Sequence, residues 1–283
     1  SVAVGAAMEA VGIGRLYSGD VAGVYRLSGA NIAAHLAMLA FIGASVALYE
    51  AVRSGSRGLG VWNILALSNL FILVETGTRG PLIALVPMIA VFLASGVLQA
   101  FRRGLVQAVS LLVPVGAGAA LLFMKFETYL MRQSEKGLSG REYAWVYFWE
   151  KTQETPLFGH GLGRVLTAND GSLYSGFLVP HNEYLRFMYD SGMIGALVLF
   201  AAIAWVLAAV AKRLAGWERW MFGAFIVGFC IFTFTDNTLS TIQITAPLCC
   251  FINGLYLTSR GKSEERRNVN GENESAGRRF VIE

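Results

Sequence analysis

Charge is scarce in this chain. Only 15% of its 283 residues are Asp, Glu, Lys or Arg, 55% are hydrophobic, and mean hydropathy is +0.53. Soluble domains carry about a quarter charged residues, so the composition points away from a soluble fold and toward a polytopic membrane protein. Cysteine is scarcer still. Cys230, Cys249 and Cys250 all lie in apolar stretches, which argues against a disulfide framework or a Cys-x-x-Cys metal site. There is no Asp-x-Asp pair, and the polar segments lack carboxylates and histidines clustered at metal-ligand spacing, so divalent-metal-dependent sugar transfer is not expected. The Gly-x-x-x-x-Gly-Lys phosphate loop of an ATP-driven pump is missing, as is the Gly-x-Ser-x-Gly elbow of a hydrolase. No internal repeat is found. The net charge of +4 is no nucleic-acid signal, because the basic residues collect at the ends of apolar stretches.

What the chain does have is long apolar runs. A bilayer core takes about 20 apolar residues per helix. Seven stretches without Asp, Glu, Lys or Arg come near that length: 27–49, 58–74, 80–98, 104–124, 191–211, 220–235 and 237–259. The second and sixth are short but can span a thin or locally distorted bilayer. Residues 1–14 are apolar except for Glu9 and read as the end of a further, partial span rather than a signal peptide, which needs a basic start and a cleavage site. The expected fold is therefore all-α. A transmembrane helical bundle fills 1–260, one large loop covers 125–190, and a polar, disordered tail covers 261–283.

Orientation follows from the basic connections. Arg53 with Arg57, Arg102 with Arg103, Lys212 with Arg213 and Arg219, and the tail from Arg260 are placed on the cytoplasmic side by the positive-inside rule. Alternation of the spans then puts 15–26, 75–79, 125–190 and Asp236 outside. Arg26, Arg79, Arg141 and His181, scattered along the chain, all fall on that outer face. Within the outer loop, 142–151 contains Tyr143, Trp145, Tyr147, Phe148 and Trp149 and reads as a helix lying on the membrane surface. Pro156 ends it, and a glycine-rich turn at 159–163 follows.

The loop closes on Pro180-His181-Asn182-Glu183-Tyr184-Leu185, and nine residues separate Asn182 from Gly192-Met193-Ile194-Gly195. Upstream stand Thr76-Gly77-Thr78-Arg79-Gly80, Gly140-Arg141 and Pro156-Leu157-Phe158-Gly159-His160-Gly161-Leu162-Gly163. In this order the motifs resemble the O-antigen ligase and O-antigen polymerase family of bacterial envelope glycosyltransferases, from about residue 26 to about residue 257. The resemblance implies a bundle similar to the GT-C-type membrane glycosyltransferases, lacking N-terminal spans that family members carry. It also implies a metal-independent, inverting transfer without a cofactor, on the periplasmic side of the inner membrane. The implied donor is an undecaprenyl-pyrophosphate-linked glycan. The acceptor is lipid A core, the growing glycan or another hydroxyl, and no nucleic acid is involved.

The residue chemistry agrees with that implication. His181, with an unperturbed pKa of about 6.5, can accept a proton from a sugar hydroxyl, and it stands just before a span, where it is held firmly. Arg79 and Arg141 are the expected grip on pyrophosphate, since guanidinium forks bind phosphate oxygens bidentately. The blander alternatives are an interfacial residue for Arg79 and a loop salt bridge for Arg141. Arg26 is a possible third phosphate contact, and Asn182 a further substrate contact. His160 can orient a donor sugar, although its setting between two glycines favours a tight turn. Asp236 is either a helix cap, the preferred role, or a carboxylate that orients the site. His35, in an apolar span, is expected to hydrogen-bond between helices. Gly192 and Gly195 are expected at close helix-packing positions. Two functions of other classes compete: a polysaccharide or lipid-linked sugar transporter or flippase, and a non-catalytic envelope-assembly protein. Transporters place ionisable groups near the bilayer midplane, whereas the spans here are nearly free of charge.

Overall fold

The computed structural model describes residues 1–19, 25–55, 60–103, 116, 120, 141–168 and 179–259. In chain order the elements are α1 (Val2–Ala10), the strands β1 (Tyr17–Gly19) and β2 (Tyr25–Leu27), α2 (Ala33–Ser54), α3 (Val61–Thr76) and α4 (Arg79–Arg103). After the segment outside the description come α5 (Arg141–Thr152), a 3-10 turn (Arg164–Thr167), α6 (Glu183–Ala211), α7 (Gly216–Thr235) and α8 (Ile242–Ser259). α2, α6, α7, α8 and the first 20 residues of α4 are long and apolar enough to cross a membrane, and α3 is a shorter apolar helix. The expected span at 104–124, residues 125–140 and 169–178 of the loop, and the tail at 261–283 lie outside the described residues.

The described elements are helical, as expected, apart from one short ribbon in which β1 and β2 pair antiparallel, with Ser18 opposite Arg26. Strands of three residues are too short to show an alternating pattern in the sequence. Span limits shift as well. The first span begins at Ala33, the last at Ile242, and α6 starts at Glu183, eight residues before the apolar run expected from Ser191.

The core lies where α2, α3, α4 and α7 meet. Phe41 of α2 packs edge-on against Phe232 at 5.2 Å and stacks near Phe225 of α7. Small residues let backbones approach. A Cβ on Gly228 of α7 would collide with the Ala84 carbonyl of α4, so these two helices cross in near-backbone contact. By contrast, only 11% of the apolar window of α6 is buried inside the protein, and Leu197, Val198 and Trp205 face outward. Exposed apolar side chains on a helix of this length are what a lipid-facing surface requires.

The two ends of the bundle differ in chemistry. At one end, Tyr49 of α2 donates to Glu218 of α7 at 3.2 Å, and the Arg213 guanidinium lies 4.2 Å over the Tyr256 ring of α8. Arg53, Lys212, Arg213 and Arg219 belong to this end. The opposite end gathers the turn between α3 and α4, the start of α6 and the end of α7. Gly77, at φ 61°, closes α3 in the left-handed conformation, and the chain re-enters the bundle at Arg79. His35 forms no hydrogen bond with a described residue, contrary to the expected interhelical role.

Candidate functional site

At that second end, the six residues 236–241 between α7 and α8 join elements far apart in sequence. α7 stops at Thr235, and the extended backbone of Asp236 leads into the loop before α8. The Asp236 side chain is 7% exposed. One of its oxygens, Oδ1, lies 3.1 Å from His181 Nδ1 and accepts the Asn237 backbone N–H at 2.9 Å. The other, Oδ2, lies 3.7 Å from Arg141 Nη2. Arg141 also donates through Nη1 to the Thr235 carbonyl. Arg141 and His181, which are 40 positions apart, thus meet on one carboxylate. Asp236 does not cap a helix through its side chain. In place of the expected cap, the carboxylate contacts Asn237, His181 and Arg141.

The electrostatics fit this role. Burial alone would push the Asp236 carboxyl up, but the His181 hydrogen bond and the Arg141 charge outweigh it and hold the group below the usual carboxylate range. Asp236 is therefore ionised at neutral pH and accepts a proton-bearing Nδ1, a charge-assisted arrangement. That tautomer leaves the imidazole lone pair on Nε2. The Asn237 side-chain amide nitrogen also lies 3.3 Å from His181 Nδ1.

A carboxylate whose folded pKa is depressed stabilises the fold above its unfolded pKa of about 3.9 and loses that contribution as pH falls through the lower folded value. Asp236→Asn is expected to cost about 1–3 kcal/mol at pH 7. The low end of that range is favoured because Arg141 and His181 side chains are 26% and 28% exposed. The difference from wild type should begin to narrow as pH falls through the ordinary carboxylate value of about 3.9 and close only below the still lower folded value, where the native aspartate becomes neutral too. Thermal unfolding in mild detergent across that pH range measures it, and a gap unchanged at acid pH would contradict an ionised Asp236.

His181 sits on strained backbone. Its φ of 50° makes it the positive-φ residue other than glycine among the described residues. Its neighbours fix that conformation. Trp145 of α5 donates its indole N–H to the Pro180 carbonyl at 2.8 Å, and its ring packs on Phe234 of α7. On the other side, Asn182 caps α6, its side chain accepting the Leu185 N–H at 3.1 Å. Glu183, fully buried, accepts from the Ser240 backbone N–H and hydroxyl at 2.9 and 2.6 Å, tying α6 to the loop that carries Asp236. Asn182, expected to contact substrate, is placed as the clamp next to the histidine.

Arg79 is the first residue of α4 and is partly exposed. A Cβ on the next residue, Gly80, would sit 2.9 Å from Thr235 Oγ1, so the start of α4 abuts the residue whose carbonyl holds Arg141. Arg26 stands one step behind. Its Nε donates to the Thr76 carbonyl at 2.6 Å and Nη2 to Thr78 Oγ1 at 2.8 Å, bracing the turn that presents Arg79.

His160 lies elsewhere. Its ring stacks on Tyr189 at 4.4 Å and its Nε2 contacts the Lys151 carbonyl at 2.9 Å. It belongs to a joint between the glycine-rich turn and α6. The Asp190 carboxylate accepts from Gly163 N and Val165 N at 3.0 and 2.9 Å, and His160 N and Gly161 N donate to the Tyr189 and Asp190 carbonyls. The joint needs Gly192, which at φ 66° kinks α6 and would drive a Cβ into the Leu157 backbone at 2.3 Å. Helix packing does not explain this glycine: Gly192 receives a loop backbone. A Cβ on Gly195 would meet only Ser191 of its own helix. Gly192→Ala should therefore destabilise the protein by more than the 1–3 kcal/mol or so of backbone strain alone. Gly254→Ala, in α8 with nothing within 4 Å of its Cβ, should be neutral or better. Equal thermal stability of the two variants would sink this account of the joint.

Sequence reasoning passed over Asn237, Glu183 with Ser240, Asp190 and Trp145. Glu183 carried a signal: an acidic residue inside a motif next to a span, where a carboxylate needs a partner. Asn237 and Ser240 carried none.

Residues 64–200 match the family model described as O-antigen ligase. No curated protein and no solved structure matches the chain. The match contains Arg79, Arg141 and His181, and Asp236 lies beyond its end. Its apolar spans, with a polar site gathered at one end of them, accord with a multi-pass membrane protein, and over residues 64–200 the chain is similar to the O-antigen ligase family, whose activity is of glycosyl-transfer type.

Proposed function

We propose that this protein is a metal-independent, inverting glycosyltransferase of GT-C type, working on the outer face of the cytoplasmic membrane. It moves a glycan from an undecaprenyl-pyrophosphate carrier to a hydroxyl acceptor: lipid A core, the growing glycan or another hydroxyl. The observation that carries this reading is one buried carboxylate, that of Asp236, shared by His181 and Arg141. It couples a proton acceptor to a phosphate-binding cation at one end of the bundle.

In the proposed reaction, Asp236 holds Nδ1–H, so that Nε2 takes the proton of the acceptor hydroxyl. The acceptor oxygen attacks the anomeric carbon from the face opposite the pyrophosphate, and the carbon–oxygen bond to the carrier breaks. The electron pair leaves on the lipid pyrophosphate. Arg141 supplies charge there, having spent one nitrogen on the Thr235 carbonyl. Arg79 supplies more from the start of α4. Fixed donors aimed at a developing anion are the largest contribution to such transfers. Arg53, Lys212, Arg213 and Arg219 at the far end of the bundle support an outward-facing site through the positive-inside rule.

The test is direct. Purified protein, a lipid-pyrophosphate glycan and each acceptor class are combined in the presence of EDTA. The expected products are a new glycosidic bond and free lipid pyrophosphate. Movement of the lipid-linked sugar across vesicle membranes, with no bond formed, would favour the flippase instead.

A further inference from the structure

The turn between α5 and α6 exposes apolar side chains on a rigid frame. Phe158 is 77% exposed, Leu162 81% and Leu166 61%. These are not ends of loose chain. Gly159 N donates to the Thr155 carbonyl at 2.9 Å, His160 N and Gly161 N donate into the Tyr189–Asp190 backbone, and Asp190 clamps the far side of the turn. A fixed segment that holds out a phenylalanine and two leucines marks a contact surface.

Its position says what it contacts. Met193 N donates to the Pro156 carbonyl at 2.8 Å and Ile194 N to the Leu157 carbonyl at 3.3 Å. The turn is thus bonded to the first turn of α6 beyond the Gly192 kink, where the lipid-facing surface begins with the exposed Met193 and Ile194 and continues through Leu197 and Val198. Leu157 and Phe158 extend that surface without a break. An exposed cation, Arg164, stands between Leu162 and Leu166. Apolar side chains flanking a cation suit the boundary between acyl chains and anionic headgroups.

We propose that residues 157–166 form an interfacial anchor, with Phe158 and Leu162 inserted into the outer edge of the bilayer beside α6. Because the same hydrogen bonds tie the turn to Tyr189 and Asp190, the anchor fixes the depth of the helix that His181 precedes. The inference depends on the chain spanning a membrane and is independent of the chemistry proposed above.

Single cysteines at 158, 162, 154 and 197 are introduced after Cys230, Cys249 and Cys250 are replaced by serine. Each is spin-labelled and reconstituted into phosphatidylethanolamine–phosphatidylglycerol vesicles. Power saturation then compares accessibility to oxygen, which concentrates in lipid, with accessibility to a water-soluble nickel chelate. The label at 197 marks the lipid limit and the label at 154, on the exposed Glu154, the aqueous one. Labels at 158 and 162 should favour oxygen, as 197 does. Preference for the nickel chelate at both would overturn the anchor. Protection from both reagents would overturn it too, since the turn would then be covered by protein. Catalytic activity does not enter the measurement, so its outcome is separate from that of the transfer assay.

Discussion

His181→Ala is expected to slow glycan transfer by about 10²–10⁴, the contribution of a positioned general base, while donor affinity stays near that of the wild type. The separation follows from the geometry. The imidazole contacts Asp236 through Nδ1, and in the proposed reaction Nε2 serves the acceptor, not the pyrophosphate. His181→Gln keeps a hydrogen-bonding side chain but offers no proton acceptor of matching basicity, so it should rescue little. Single-turnover transfer from a purified lipid-pyrophosphate glycan, alongside donor titration, measures both quantities. Full turnover in His181→Ala would refute the assigned base.

Arg141→Ala should act on both binding and turnover, lowering the transfer rate by about 10²–10³, the usual loss for one donor to a developing anion. Donor affinity should fall as well, because pyrophosphate is anionic before and after the bond breaks. A second loss is indirect: Asp236 would keep its bond to His181 but lose its cationic neighbour. Arg141→Lys should rescue only part. An ammonium on a flexible stem cannot both reach the Thr235 carbonyl and present a planar fork to phosphate. Unchanged donor affinity in Arg141→Ala, with turnover reduced, would assign the residue to positioning Asp236 instead.

The apolar spans were legible in the sequence because a bilayer tolerates few alternatives: 80–98 and 220–235 reappear within α4 and α7. Their ends were less legible. The capping Asn182 and the acidic Glu183 after it signal a helix start, but hydropathy set the expected boundary at Ser191, since the first turns of α6 are polar. The convergence of Arg141 and His181 was predictable from shared membrane depth alone. What joins them was not. A lone aspartate between two apolar helices looks the same whether it caps a helix or gathers partners from elsewhere, and only tertiary contact decides. Arg26 shows the same limit: its partners Thr76 and Thr78 are 50 and 52 positions away, and nothing local distinguishes a brace from a phosphate ligand. The glycines misled for a related reason. Small residues in a span suggest helix against helix, yet Gly192 receives the backbone of a loop.

The central claim is that Asp236 and His181 act as one unit. It is tested most directly by a double-mutant cycle on the rate of glycan transfer, with His181→Ala, Asp236→Ala and the pair together. Residues that work through a shared step are strongly non-additive. The account predicts that Asp236→Ala alone lowers the rate by at least tenfold or so, an energetic coupling of about 1.4 kcal/mol, and that the double variant is no slower than His181→Ala. Losses that multiply, or an Asp236→Ala enzyme with wild-type turnover, would contradict it.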